Sequence, residues 1–93
     1  MKIKVKFFSS FRDKAGKASV EVEAHNAGEL IDSLLESHGQ LEGSLVKETD
    51  SGRKIKSGVT IMLNGRNVNF LDGLDTELED GDTVAIFPPV GGG

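Results

Sequence analysis

Apolar and polar residues alternate from the start of the chain. Ile3, Val5 and Phe7 fall on one side, with Lys2, Lys4, Lys6 and Phe8 on the other. A period of two predicts a strand over 2–8 with one buried face. Residues 9–17, rich in Ser, Asp, Lys and Gly, read as a turn-rich connection. Alternation returns over 18–24, with Val20 and Val22 inward and Ser19, Glu21 and Glu23 outward. Pairing these strands as a hairpin sets the glutamates against the lysines. Each such cross-strand pair is worth roughly 0.2–1 kcal/mol, and the stripe reads chiefly as a solvated sheet face. The period then lengthens. Leu30, Ile31, Leu34 and Leu35 lie on one face of a helix over 27–38. Asn26 is its N-cap, with Glu29 in the capping-box position. Gly39 is expected as a left-handed C-cap, and His38 as a favourable charge in the last turn.

Residues 40–57 are the least regular part. Leu41, Leu45 and Val46 suggest a short helical turn, and Asp50-Ser51-Gly52-Arg53 a turn. A connection of this length is expected to hold some structure and some mobility. A third strand follows over 58–63, with Val59, Ile61 and Leu63 on one face and Thr60 and Met62 on the other. Asn64-Gly65 is a type I′ hairpin signal leading to a short return strand over 66–69. Phe70, Leu71, Leu74 and Leu78 are expected to anchor the next stretch to the core. Asp80-Gly81-Asp82 turns the chain into a last strand, 83–87, with Val84 and Ile86 inward and Ala85 and Phe87 outward. This order predicts a two-layer α+β domain. If the first and last strands pair in parallel at the centre, it is a β-grasp, ubiquitin-like mixed sheet of four to five strands with one main helix on one face. Residues 1–90 then form the domain and 91–93 a flexible glycine tail.

The chemistry of the ending differs from that of the body. Pro88 and Pro89 lack backbone N–H groups and have fixed φ, so they stop strand pairing and should carry the chain outward as a semi-rigid neck. Val90 follows, then Gly91, Gly92 and Gly93. Three residues without side chains can thread a narrow passage and present the Gly93 α-carboxylate at its end. Phe8 and Phe87 both face away from the helix at the ends of their strands. Parallel neighbours would bring the two rings together at the root of this tail, with Met62 or Thr60 extending the patch. An exposed aromatic cluster of this kind is a candidate contact surface.

Composition narrows the functions. The absence of cysteine excludes a thiolate nucleophile, disulfides, cysteine-ligated zinc and iron–sulfur clusters. A net charge of −4 argues against non-specific nucleic-acid binding. The alternating start is no signal peptide, and no stretch approaches a membrane span, so the expected location is the cytoplasm. His25 and His38 lack the converging ligands a metal site requires. Asp72, Asp75, Asp80 and Asp82 do not follow EF-hand spacing and read as turn formers. With no phosphate loop, no metal cluster and no nucleophile–base pair, the chain carries no catalytic machinery of its own. Any ATP chemistry on its carboxylate belongs to a partner.

The body together with Phe87-Pro88-Pro89-Val90-Gly91-Gly92-Gly93 resembles the small subunit of molybdopterin synthase, a ubiquitin-like sulfur carrier. The likeness covers essentially the whole chain. It runs through Lys4-Val5-Lys6-Phe7-Phe8, Arg12-Asp13-Lys14-Ala15-Gly16, Leu63-Asn64-Gly65-Arg66 and Leu71-Asp72-Gly73-Leu74-Asp75-Thr76, then from Leu78-Glu79-Asp80-Gly81-Asp82 to the end. Archaeal small modifier proteins are similar in the same places. Thiamine sulfur carriers share the fold and the diglycine but usually lack the Phe-Pro-Pro-Val lead-in. The resemblance implies that an adenylating enzyme related to the ubiquitin activators uses ATP and a sulfur donor to convert the Gly93 carboxylate to an acyl-adenylate and then a thiocarboxylate. It implies that the large synthase subunit takes up the tail, with Phe87 and Phe8 as partner-contact aromatics and Gly92 and Gly93 as tail glycines. Gly91 departs from related tails, which often carry a side chain there. Two other functions suit the same ending: a protein modifier joined through Gly93 to lysines of target proteins, and a β-grasp binding module with an incidental tail.

Overall fold

The computed structural model describes residues 1–89. Strand β1 is Lys2–Phe7 and strand β2 is Ser19–Glu23; they pair antiparallel with Lys2 opposite Glu23 and Lys4 opposite Glu21. The expected charge register is therefore present, although Glu23 receives the Met1 ammonium at 3.3 Å. Helix α1, Ser9–Ala15, lies between the two strands. The expectation of an irregular connection there is corrected. Phe11 is buried against the core, and Gly16 ends the helix at φ 75° with its N–H donating to the Arg12 carbonyl. Ala15-Gly16 is thus a left-handed C-cap.

Helix α2 is Ala27–Ser37. The side-chain Oδ1 of Asn26 accepts from the Glu29 N–H at 2.8 Å. Oε1 of Glu29 reaches back to the His25 N–H at 2.9 Å and lies 3.1 Å from His25 Nδ1. The reciprocal bond of the capping box lands one residue before the cap. That backbone N–H first, then the imidazole, holds the Glu29 carboxyl below the usual value of 4.5. At the other end, Gly39 is not in the left-handed region. His38, at φ −132°, closes the helix, and Gly39–Leu41 forms a 3-10 turn that buries Leu41 completely. The His38 ring sits edge-on to Phe7, with centroids 5.9 Å apart.

The long connection contains a hairpin rather than a loop. Strand β3, Val46–Thr49, pairs antiparallel with strand β4, Gly52–Ile55, across the expected turn. The hairpin is tied to α2 by Arg53, whose guanidinium pairs with Asp32 Oδ1 at 2.5 Å and donates to the Gly28 carbonyl at 3.3 Å. Strand β5 is Thr60–Leu63, two residues shorter than expected because Gly58, at φ 87°, belongs to the preceding turn. Asn64 and Gly65, at φ 49° and 87°, form the hairpin tip. Strand β6 is only Arg66–Asn67; a 3-10 turn over Val68–Phe70 replaces its expected second half. Within that stretch Val68 is buried, while Phe70 is 86% exposed and Leu71 39% exposed. Those two residues therefore do not anchor the segment; Val68 and Leu78 do, with Leu74 partly buried.

Strand β7, Thr83–Phe87, completes the sheet in the order β2-β1-β7-β5-β6. It pairs parallel with β1, as the β-grasp expectation required, and antiparallel with β5. Ile3, Val5, Phe7, Ile61, Leu63, Val84 and Ile86 cover one face of this sheet, and Leu30, Ile31 and Leu34 of α2 close over them. The other face has no second layer among the described residues. Among the described residues no helix is long and apolar enough to cross a membrane.

Candidate functional site

The central parallel pair determines what meets at one end of the open face. β1 and β7 run in the same direction, with Phe7 opposite Ile86, so residues 8 and 87 come next in the row. The Phe8 N–H donates to the Ile86 carbonyl at 3.2 Å, which carries the ladder one step beyond β1. The two rings stack, with centroids 4.4 Å apart and planes at 14°. Phe8 is 37% exposed and Phe87 half-buried. The chain cannot continue straight past Phe8. Ser9 has φ 52°, unusual for a residue with a side chain, and starts α1, while the Phe11 N–H donates back to the Phe8 carbonyl at 3.1 Å. This kink leaves the Phe8 ring over Phe87 instead of running it off the sheet.

The β3–β4 hairpin does not hide the rings; Arg53 holds it against α2, on the other side of the sheet. On β5, Thr60 stands directly opposite Phe87, and Met62 one row back, opposite Ala85. Both are half-buried, so Thr60 borders the aromatic pair more closely than Met62 does. Pro88 and Pro89 follow Phe87 and are also half-buried. The expected neck therefore lies along the body as far as Pro89. Val90, Gly91, Gly92 and Gly93 lie outside the described residues.

Residues not singled out in the sequence also border this root. A groove of about 300 Å³ is lined by Ser10, Phe11, Lys14, Ser44, Lys56, Pro88 and Pro89. Lys14 donates to Ser44 Oγ at 3.2 Å and Lys56 to the Gly43 carbonyl at 2.8 Å, so both ammonium groups are tethered to one loop. Pro89 lies against Gly58. Ser57-Gly58 was available as a turn signal, but its position beside the tail root depends on the fold. A larger cleft of about 830 Å³ opens at the opposite end of the central strands, near Met1, Asn64 and Asp82, away from the rings.

Among the described residues no three His, Asp or Glu side chains gather as a metal site would require. The aspartates instead hold turns: Asp80 Oδ1 accepts from the Lys2 N–H at 2.6 Å, and Asp82 accepts from Asn64 Nδ2 and the Glu79 N–H. The arrangement at the root offers a contact surface: an aromatic pair, a proline lead-out and two tethered lysines.

Known proteins share both the sequence and the architecture. The ThiS family pattern matches residues 5–93. Small archaeal modifier protein 3 of Haloferax volcanii is 35% identical, with all of both chains covered. The sulfur carrier protein CysO of Mycobacterium tuberculosis is 33% identical over 84% of this chain and 83% of its own. In three dimensions, the small archaeal modifier protein 1 of Methanosarcina acetivorans superposes with a TM-score of 0.89 at 29% identity, covering 99% of this chain and 96% of that one. A complex of subunits 1 and 2 of the molybdopterin-converting factor from Helicobacter pylori matches with a TM-score of 0.63 at 27% identity over 100% of both chains. On this family match and this β-grasp body, the chain belongs to the ThiS family, among the ubiquitin-like sulfur carriers and small archaeal modifiers.

Proposed function

We propose that this protein carries sulfur as a thiocarboxylate on Gly93 and delivers it for molybdopterin synthesis as the small subunit of the synthase. The observation that carries this reading is the Phe8–Phe87 stack at the exit of β7, immediately before Pro88. It gives a partner an apolar hold on the body at the place where the chain departs toward its glycines. The resemblance of the Phe-Pro-Pro-Val lead-in and the structural match to a two-subunit molybdopterin-converting factor support the same partner class.

The chemistry follows from the carboxylate. A carboxylate is a poor acyl donor, so a ubiquitin-activator-like enzyme must first couple it to ATP. A Gly93 oxygen attacks the α-phosphorus, pyrophosphate leaves, and an acyl-adenylate forms. A sulfur donor at the oxidation level of sulfide then attacks the carbonyl and expels AMP. Glycine leaves that carbonyl unhindered. The chain binds no cofactor in this scheme; ATP and the sulfur donor are the partner's substrates, and an ATP-rich cytoplasm is the fitting compartment. Phe8 and Phe87 form the centre of the partner contact, with Met62, Pro88, Pro89 and Val90 around it. The large synthase subunit then receives the tail.

A second reading is favoured by the 35% identity to a small archaeal modifier protein. A lysine amine, in place of sulfur, attacks the activated Gly93 carbonyl and leaves an isopeptide bond to a target protein. Both reactions begin with adenylation and can coexist. Intact-mass measurement of the protein isolated from its own cells separates them. Replacement of one oxygen by sulfur at Gly93 supports the carrier, and lysine-linked adducts support the modifier. A carboxylate that stays unmodified with ATP and the cognate activating enzyme refutes both.

A further inference from the structure

Gly58 stands at the foot of the tail for a reason that its turn alone does not supply. Its φ of 87° suits the third position of a turn closed by the Val59 N–H donating to the Lys56 carbonyl at 3.0 Å. That backbone already favours glycine. A second constraint is independent of it: a Cβ on Gly58 would come within 3.0 Å of Pro89 Cβ and 3.2 Å of Pro89 Cγ. Such contacts are tighter than side chains ordinarily make, so a Cβ on Gly58 would push Pro89 aside by a few tenths of an ångström. By contrast, Gly65 has the same φ of 87° and nothing within 4 Å of where its Cβ would be.

The surface under Pro89 is firmly held. Val59, the next residue, is buried in the core, and Lys56, which opens the turn, donates its N–H to the carbonyl of fully buried Leu45 at 2.9 Å. Above it, the proline ring fixes φ at Pro89 and at Pro88. Phe87 is held by the Phe8 stack and by its pairing with Thr60. The last described residue of the lead-out therefore rests between a rigid strand and a rigid turn.

We infer that Gly58 is a positioning residue: it seats Pro89 and so sets the direction in which Gly91, Gly92 and Gly93 enter the activating partner. This rests on the proposed activation of Gly93. Binding of the body and aim of the tail are then separate properties. The aromatic pair governs how tightly the partner holds, and the Gly58 seat governs how often the carboxylate meets ATP in a productive pose. Misplacing a reacting group by about 1 Å can cost on the order of a hundredfold in rate.

The test is steady-state ATP–pyrophosphate exchange by the cognate activating enzyme, with the intact carrier as the varied substrate. Gly58→Asn keeps a residue that tolerates positive φ but adds a Cβ beneath Pro89. It is expected to lower kcat about tenfold or more with KM nearly unchanged, as a misaimed tail requires. Gly65→Asn, the same exchange at the same φ in open space, is expected to leave both constants unchanged. Pro89→Gly removes the ring and should lower kcat like Gly58→Asn, and the double variant should be no worse than Pro89→Gly alone. Wild-type kcat in either single variant overturns the inference, as does a fall in kcat that merely follows a lower melting temperature. If Gly58→Asn does not fold, a wild-type kcat in Pro89→Gly still overturns the inference without touching the turn. Absence of exchange with the wild-type chain would defeat the proposed function itself, a result distinct from failure of the seat.

Discussion

At the scale of single residues, the aromatic pair carries the most consequence. Phe87 is half-buried and Phe8 partly exposed, so truncating the outer part of the pair removes little from the core. Phe87→Ala is expected to cost about 1 kcal/mol of stability, the order of a lost aromatic pair. The same change should weaken partner binding by about 2 kcal/mol or more, as central aromatic anchors do. Denaturant unfolding and calorimetric titration against the partner measure the two losses, and equal losses would assign the ring to the core. Phe8 and Phe87 were legible because strand alternation alone placed them on the open face. Thr60 outranks Met62 as the neighbour of Phe87 because register, which periodicity does not give, sets who stands opposite whom. Glu29 carries a pH signature. Its folded pKa lies below its unfolded one, so its contribution to stability is present above the ordinary value of 4.5 and is lost as pH falls through the folded value. Glu29→Gln should therefore differ most from the wild type near neutral pH, and the gap in melting temperature should narrow as the pH falls below the ordinary value of 4.5. A gap that is constant with pH would remove the carboxylate from the account.

At the scale of elements, the sequence was informative where local signals agree. Helix α2 has a cap, a stripe and eleven residues, and it formed within one residue of its expected span. Helix α1 has seven residues, too few to be stable alone, and owes its existence to Phe11 reaching the core. No pattern over residues 9–17 could reveal that long-range contact. The β3–β4 hairpin escaped for a related reason: its four-residue strands are mostly exposed, so alternation has little to act on, and Arg53 ties it down through a side chain. Phe70 misled in the opposite direction, being apolar yet 86% exposed, because the 3-10 turn after β6 buries Val68 instead. Phe11→Ala tests the dependence of α1 on its anchor. It is expected to cost roughly 3–5 kcal/mol, the usual range for a buried phenylalanine, read by chemical denaturation. A loss below about 1 kcal/mol, the level of a surface change, would show that α1 stands without it.

At the scale of the whole molecule, stability and function divide along the chain. Among the described residues the buried core runs from Ile3 to Ile86 and is complete before Phe87. Deleting Gly92 and Gly93 is therefore expected to leave the unfolding midpoint unchanged and to abolish activation, checked by calorimetry and by intact mass after incubation with ATP and the activating enzyme. Sulfur transfer by that truncation would refute the mechanism. The β-grasp architecture itself was legible because strand order, helix stripe and hairpin signals all pointed to one sheet, whereas the Gly58 seat became visible only when residues thirty-one positions apart met in space.

The central place of β7 has a consequence for how the protein comes into being. Its neighbours β1 and β5 face each other across the gap that it fills, and its parallel partner β1 lies far from it in sequence. Until residues 83–87 have left the ribosome, the sheet is split into two halves, each with an open edge facing the gap. A nascent or prematurely terminated chain should therefore remain a target for chaperones and proteases. Only a molecule translated past Phe87 can close its sheet, so folded molecules are those whose synthesis has reached the approach to the glycines.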